Sequence, residues 1–98
     1  LITDDMIDSG GSIIGVLDML QDKGCKTVDI AVSFGLFTKG IEKFENAKGL
    51  FQKLYVTNST YLDPELKNTA WVEVVDISET ISDVIKAITF KEPLERFF

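Results

Sequence analysis

The chain has 98 residues, carries a formal net charge of -6 and is 45% apolar, which predicts a single domain with a packed core and excludes an intrinsically disordered protein. The negative charge argues against nucleic acid or an anionic membrane as a partner, and the absence of histidine excludes His-based triads and His-ligated metals. With one cysteine and no apolar run long enough to span a membrane, we expect a cytoplasmic protein without a disulfide framework.

The first predicted elements are a short strand over Leu1–Thr3, a tight turn and a helix over residues 11–23. Apolar residues in the helical segment recur at spacings of three and four, which is typical of a helix with one buried face. Ser9 or Ser12 is the predicted N-cap of this helix, and Gly24 is the predicted residue that ends it.

The rest of the chain continues to alternate between strands and helices. The predicted strands are Thr27–Ser33, Phe51–Thr57 and Trp71–Val75. The predicted helices are Thr38–Ala47 and a final one that begins at Asp76 or Ser78 and carries Ile81, Val84, Ile85 and Ile88 on one face. The predicted loops are Phe34–Phe37 and Asn58–Asn68. This order predicts an α/β fold, a mainly parallel sheet with helices on both faces and a ligand site at the carboxyl ends of its strands.

Residues 4–12 carry the clearest signal of a binding site. They contain three acids and two hydroxyl side chains around a pair of glycines: Asp4, Asp5, Asp8, Ser9, Gly10, Gly11 and Ser12. Glycines let backbone N–H groups approach a phosphate closely, and the start of a helix adds unpaired N–H donors and partial positive charge. The acids suit vicinal sugar hydroxyls or Mg²⁺. A solvated acidic loop with an ordinary strand-to-helix turn is the alternative, but the combination favours a site for a phosphorylated ribose.

These residues resemble a known motif. The stretch from Leu1 to Ser12 is similar to the phosphoribosyl-pyrophosphate (PRPP) motif of type I phosphoribosyltransferase folds. Later segments resemble the C-terminal domain of the ribose-phosphate pyrophosphokinase (PRPP synthetase) family: Gly35–Phe37, Val56–Ser59, Val74–Ser78 and Phe98. The resemblance covers essentially the whole chain and implies a partial phosphoribosyltransferase-like domain. Because the chain opens in a strand and without Met, we expect it to be a domain truncated at its N-terminus.

The resemblance implies specific roles for the opening residues. Asp4, with Asp5 beside it, would contact the ribose hydroxyls, and Mg²⁺ would be bound near this pair. The residues expected to cradle the 5-phosphate are Asp8, Ser9, Gly10, Gly11 and Ser12. Implied partners of the full-length protein are ribose 5-phosphate, PRPP and ATP, in a homo-oligomer. The family's ATP-binding and catalytic-loop residues lie upstream of this motif, so no catalytic residue is expected in this segment, which alone would be inactive.

Two departures from the family's pattern keep other functions open. Phe34 stands before Gly35 where the family usually has His, and the tail Pro93–Phe98 replaces a Ser-rich regulatory tail. A PRPP-dependent phosphoribosyltransferase would share the opening motif, and a non-catalytic synthetase-like protein could regulate a true synthetase. Paired His and Asp ligands with a Lys-x-Arg loop upstream would indicate the enzyme.

Overall fold

The computed structural model describes all residues from 1 to 98, and its centre is a four-stranded sheet. The strands are β1 (Ile2–Ile7), β2 (Ile30–Gly35), β3 (Leu54–Thr57) and β4 (Val72–Val75). They lie in the order β1-β2-β3-β4, and each neighbouring pair is parallel. The predicted α/β fold with a parallel sheet is therefore confirmed.

Four α-helices and one short 3₁₀-helix accompany the sheet. Their bounds are α1 (Gly11–Asp22), α2 (Glu42–Asn46), α3 (Pro64–Lys67), α4 (Ser78–Thr89) and the 3₁₀-helix Glu95–Phe97. Gly24 ends α1 as predicted, with φ of 80° and a 3.0 Å hydrogen bond from its N–H to the Gln21 carbonyl. None of the helices has both the length and the apolar character that crossing a bilayer requires.

The helices α1, α2 and α3 share one core on one face of the sheet. Their buried side chains belong to the same cluster as alternate residues of β2, β3 and β4; these are Ile13, Leu17, Phe44, Leu66, Ile30, Val32, Leu54, Val56 and Val72. Strands that are neighbours in chain order, joined by right-handed crossovers, place all connecting helices on one side. The sequence predicts helices on both faces, but within these residues the opposite face is open, and α4 exposes its apolar side chains Ile81, Ile85 and Ile88.

Aromatic side chains form the centre of this core. The Phe44 ring is fully buried, and its centroid lies 5.4 Å from Phe37, 6.2 Å from Phe51 and 6.1 Å from Trp71. The Trp71 indole N–H also donates to the Glu45 carboxylate over 3.0 Å. Aromatic pairs at these separations stabilise a core beyond the area that they bury, so α2 is held to the sheet despite its five residues.

Several predicted boundaries move in the structure. The first strand continues past Thr3 to Ile7, because pairing with β2 extends through the two aspartates. The predicted loop at Phe34 and Gly35 is the end of β2. The predicted helix Thr38–Ala47 contracts to the single turn of α2. The predicted loop Asn58–Asn68 contains α3, whose N-cap Asp63 accepts a 2.9 Å hydrogen bond from the Glu65 N–H.

A polar cluster joins the end of β3 to the start of α4. The Asn58 amide donates to the Asp76 carboxylate over 2.9 Å, and its oxygen accepts the Ile77 N–H over 3.0 Å. Asp76 also accepts the Ser78 N–H over 2.8 Å. The N-cap position of α4 is Ile77, which makes no side-chain capping bond, so the prediction that the helix begins with a cap at Asp76 or Ser78 is wrong. Asp76 instead precedes the N-cap and holds the first residue of the helix through the Ser78 N–H.

Acidification is expected to weaken this cluster. Hydrogen bonds from the Ser78 side chain, the Ser78 backbone and Asn58 lower the pKa of Asp76 from its ordinary value of 3.8. A carboxyl group whose pKa is lower in the folded state stabilises the fold fully above its unfolded pKa, and this contribution is lost as the pH falls through the folded pKa. Urea unfolding at pH 7 is expected to show Asp76→Asn less stable than the wild type, and the difference is expected to shrink as the pH falls below 3.8.

The exposed Asp22, in the last turn of α1, provides the matched control for this experiment. Asp22→Asn removes the same charge without removing the bonds to Ser78 and Asn58, so it is expected to leave the pH dependence of the wild type unchanged. An Asp76→Asn destabilisation of the same size at pH 7 and pH 3 would contradict the assigned role of Asp76.

Candidate functional site

The structure brings most of the predicted site residues together around one cleft beyond the end of β1. The cleft encloses about 210 Å³. Its lining contains six of the seven predicted residues and three apolar ones: Asp4, Asp8, Ser9, Gly10, Gly11, Ser12, Met6, Ile7 and Ile13. Asp5 is exposed but does not line the cleft. The carboxyl end of β1 and the start of α1 therefore form a single concave surface.

The turn between β1 and α1 takes its shape from Gly10. This residue is the N-cap of α1 and has φ of 84°, in the left-handed region that side chains disfavour. A Cβ at Gly10 would lie 2.3 Å from the Phe44 ring, whereas a Cβ at Gly11 would meet nothing within 4 Å. Gly10 is therefore required by the core beneath the turn, while Gly11 leaves space open above it.

Backbone donors in this turn are free to bind a ligand. The N–H groups of residues 9–13 donate to no other group of the chain, and no side chain caps α1. The prediction that Ser9 or Ser12 caps the helix is wrong, because the sharp bend at Gly10 takes the N-cap position without a side-chain bond. Unpaired N–H groups at a helix N-terminus are the usual ligands of a phosphate.

The charge distribution of the helices also sets the start of α1 apart. Its first turn contains no acid. By contrast, the first turn of α2 carries Glu42 and Glu45, that of α3 carries Glu65, and that of α4 carries Glu79. An acid at a helix start occupies the positive end of the helix dipole that an anion would otherwise use. In α1 that end is left for a ligand, despite the negative charge of the whole chain.

The three acids have different environments. The Asp4 carboxylate lines the cleft and accepts the Asp5 N–H over 2.8 Å. The Asp8 carboxylate accepts a hydrogen bond from the Thr38 hydroxyl, which comes from the loop between β2 and α2. Thr38 is a site residue that the sequence does not reveal, since it lies 30 positions away and follows no motif. Its bond holds Asp8 at the edge of the cleft.

The acids fit a cation that is shared with a ligand better than one held by the protein alone. No group of three or more Asp, Glu or Cys side chains comes together to hold a metal. Mg²⁺ usually keeps several waters and is bound through one or two carboxylates together with substrate oxygens. Asp4 is the exposed carboxylate that lines the cleft without a side-chain partner, so its oxygens suit such a shared ion.

Comparison with known proteins connects this fold and cleft to a family. A sequence model of the phosphoribosyl synthetase-associated domain matches residues 1–98, the whole chain. The chain belongs to the phosphoribosyl synthetase-associated domain family. The crystal structure of phosphoribosylpyrophosphate synthetase from Mycobacterium smegmatis is similar to this domain, with a TM-score of 0.79 and 29% sequence identity over 91% of the domain and 29% of that chain.

Curated relatives of the domain are ribose-phosphate pyrophosphokinases. The protein from Mycoplasmopsis pulmonis is 34% identical over 88 residues, which are 90% of this domain and 27% of that protein. The Mycoplasma genitalium protein is 38% identical over 90 residues, or 87% of this domain and 26% of its own length. Ribose-phosphate pyrophosphokinase 2 from Saccharomyces cerevisiae is 32% identical over 99 residues and 30% of its length. The resemblance to this family is confirmed, and the domain spans under a third of these relatives.

Alanine at the two glycines is expected to separate the requirements of the core from those of the cleft. Gly10→Ala forces a left-handed alanine against the Phe44 ring, and we expect a loss of roughly 2–4 kcal/mol in the free energy of unfolding. Gly11→Ala adds a methyl group in open space on a helix and is expected to change this free energy by less than about 1 kcal/mol. Chemical denaturation of both variants measures the difference. Equal losses at the two positions would contradict the packing of Gly10 on Phe44.

Proposed function

We propose that this domain is the ribose 5-phosphate- and PRPP-binding part of a ribose-phosphate pyrophosphokinase. The full-length protein would transfer diphosphate from ATP to ribose 5-phosphate, giving PRPP and AMP. The observation that carries this proposal is the row of unpaired N–H groups at residues 9–13, in a cleft that also contains the Asp4 carboxylate. Similarity along the domain to proteins named ribose-phosphate pyrophosphokinase supports the synthetase over a phosphoribosyltransferase.

The turn after β1 would bind the 5-phosphate. Its free backbone N–H groups, the hydroxyls of Ser9 and Ser12 and the positive end of α1 supply donors and charge without a lysine or arginine. Such donors bind the phosphate in the ground state and the transition state alike, so they position the acceptor sugar and do not themselves break the bond in ATP.

The acids would orient the sugar. Asp4, in the cleft, would accept hydrogen bonds from vicinal ribose hydroxyls, and Asp5 would lie beside it. Asp8 would be held by Thr38 close to the bound phosphate, so its carboxylate shapes the turn and does not serve as a donor. With the sugar fixed at both ends, the C1 hydroxyl would point toward the part of the full-length protein that binds ATP.

Mg²⁺ is the proposed cofactor, and Asp4 is the residue of this domain best placed to hold it with the ligand. When bound, the ion would neutralise negative charge on the phosphates, because phosphoryl transfer requires this charge to be stabilised. The domain has 16 acids against 10 bases, so cations that neutralise ATP must come from the metal and from other parts of the full-length protein. We further propose that this protein acts in the cytoplasm as a homo-oligomer.

The full-length polypeptide, incubated with ATP, Mg²⁺ and ribose 5-phosphate, is expected to form AMP and PRPP. Asp4→Ala is expected to abolish product formation, because the sugar would lose its hydroxyl contacts. Asp18→Ala, which removes an exposed acid from the middle of α1, is the matched control and is expected to retain activity. Chromatography of the nucleotide products gives the measurement.

A binding titration separates a wrong site from an inactive protein. Asp8→Ala and Ser12→Ala are each expected to weaken ribose 5-phosphate binding in the full-length protein. Unchanged binding in both variants would show that the assigned turn is wrong, whereas intact binding without AMP formation in the wild type would indicate a non-catalytic relative.

A further inference from the structure

The carboxylate of Asp8 behaves differently from those of two other aspartates that lie at or just before helix starts. At α3 the Asp63 carboxylate accepts the Glu65 N–H over 2.9 Å, and at α4 the Asp76 carboxylate accepts the Ser78 N–H over 2.8 Å. In each case the aspartate binds the N–H two residues further along the chain, as short acidic side chains commonly do. Asp8 lies two residues before the N-cap of α1, but it makes no such bond.

The Thr38 hydroxyl accounts for this difference. It donates to one oxygen of the Asp8 carboxylate from the loop between β2 and α2, and Thr38 does not itself line the cleft. Without this bond, the carboxylate would be within reach of the N–H groups two and three residues further on, at Gly10 and Gly11. These N–H groups belong to the turn that is proposed to bind phosphate, so a released Asp8 carboxylate would compete with the ligand for them.

The loop that carries Thr38 is fastened to the end of β1 and to the core. The Ile7 carbonyl accepts the Leu36 N–H over 2.9 Å. Phe37 has φ of 47°, in the left-handed region that bulky side chains rarely adopt, and its buried ring lies 5.4 Å from the Phe44 ring. Packing therefore fixes the position from which the Thr38 hydroxyl donates, and it does so through the same Phe44 ring that lies beneath the turn.

We propose that Thr38 is a positioning residue that keeps the N–H groups of the turn free for the ligand by holding the Asp8 carboxylate away from them. This inference rests on the proposed function, since it concerns the same turn after β1. Thr38 would not touch the sugar phosphate and would act through Asp8 alone. Once the Thr38 hydroxyl is removed, the Asp8 carboxylate would oppose ligand binding.

Calorimetric titration of the full-length protein with ribose 5-phosphate tests the inference. Thr38→Val removes the hydroxyl with little change in shape and is expected to weaken binding about tenfold, because the ligand must displace the released carboxylate. Thr38→Ser keeps a hydroxyl and is expected to bind within about threefold of the wild type. Thr80→Val, at an exposed threonine of α4, is the matched control and should bind like the wild type.

A double variant separates competition from simple support of the turn. Asp8→Ala alone is expected to weaken binding, since the turn loses a residue that shapes it. Added to Thr38→Val, however, Asp8→Ala removes the competing carboxylate and is expected to improve binding about threefold over Thr38→Val alone. Circular dichroism checks that each variant is folded. An affinity that Thr38→Val leaves unchanged, or one that Asp8→Ala fails to improve in the Thr38→Val protein, would overturn the inference.

A spectroscopic measurement tests the release of Asp8 without any ligand. In the full-length protein labelled with ¹⁵N-glycine, Thr38→Val is expected to shift the N–H signals of Gly10 and Gly11, and adding Asp8→Ala is expected to reverse this shift. Signals that stay in place in Thr38→Val would contradict the release. Failure of the wild type to bind ribose 5-phosphate would instead overturn the proposed function, and the two glycine signals would still decide the role of Thr38.

Discussion

The contact between Gly10 and the Phe44 ring is the constraint on which the site depends. The bend that exposes the N–H groups of the turn exists because residue 10 lacks a side chain and adopts φ of 84° directly over this buried ring. Phe44 is itself enclosed by Phe37, Phe51 and Trp71. The shape of the turn is therefore set by the aromatic core before any ligand arrives, and a site preorganised in this way loses little free energy in ordering its backbone on binding.

The same contact bears on how the cleft proposed to bind a phosphate could do so in a chain with a net charge of -6. No cationic side chain lines the cleft, so the phosphate binding proposed above would depend on backbone dipoles held in position by packing. In the proposed binding mode the acids would not cancel this attraction, because Asp4, within β1, would contact the sugar and Asp8 is bonded to Thr38. On this proposal the domain would bind the acceptor sugar, and other groups would neutralise the polyphosphate.

Local patterns allowed the prediction of much of the fold. Helical spacing and Gly24 identified α1, and alternating strands and helices identified the parallel sheet. The length of β1 was not predictable, since aspartate is rare in strands and only pairing with β2 holds Asp4 and Asp5 there. The helix α3 carried a recognisable signal, an N-cap Asp63 before Pro64, which was included in a predicted loop.

The sequence placed neighbouring residues of the candidate cleft together, but it could not reveal contacts made across the fold. Six of the seven predicted residues line the cleft because they are consecutive in a turn or just before it. The bond from Thr38 and the closeness of Phe34 to Met6 depend on the pairing of β1 with β2, which spacing along the chain cannot reveal. The prediction of a serine N-cap for α1 failed for a related reason. Whether a serine caps this helix depends on the backbone angle at Gly10, and the buried Phe44 sets that angle.

The most direct test of a phosphate site built from backbone donors is amide NMR of the ¹⁵N-labelled chain during titration with ribose 5-phosphate. We expect the largest chemical-shift changes at the N–H groups of residues 9–13, with inorganic phosphate producing smaller changes at the same amides. Amides at the start of α4, where Glu79 lies in the first turn, should not move. Shift changes absent from residues 9–13, or larger elsewhere in the chain, would contradict the account.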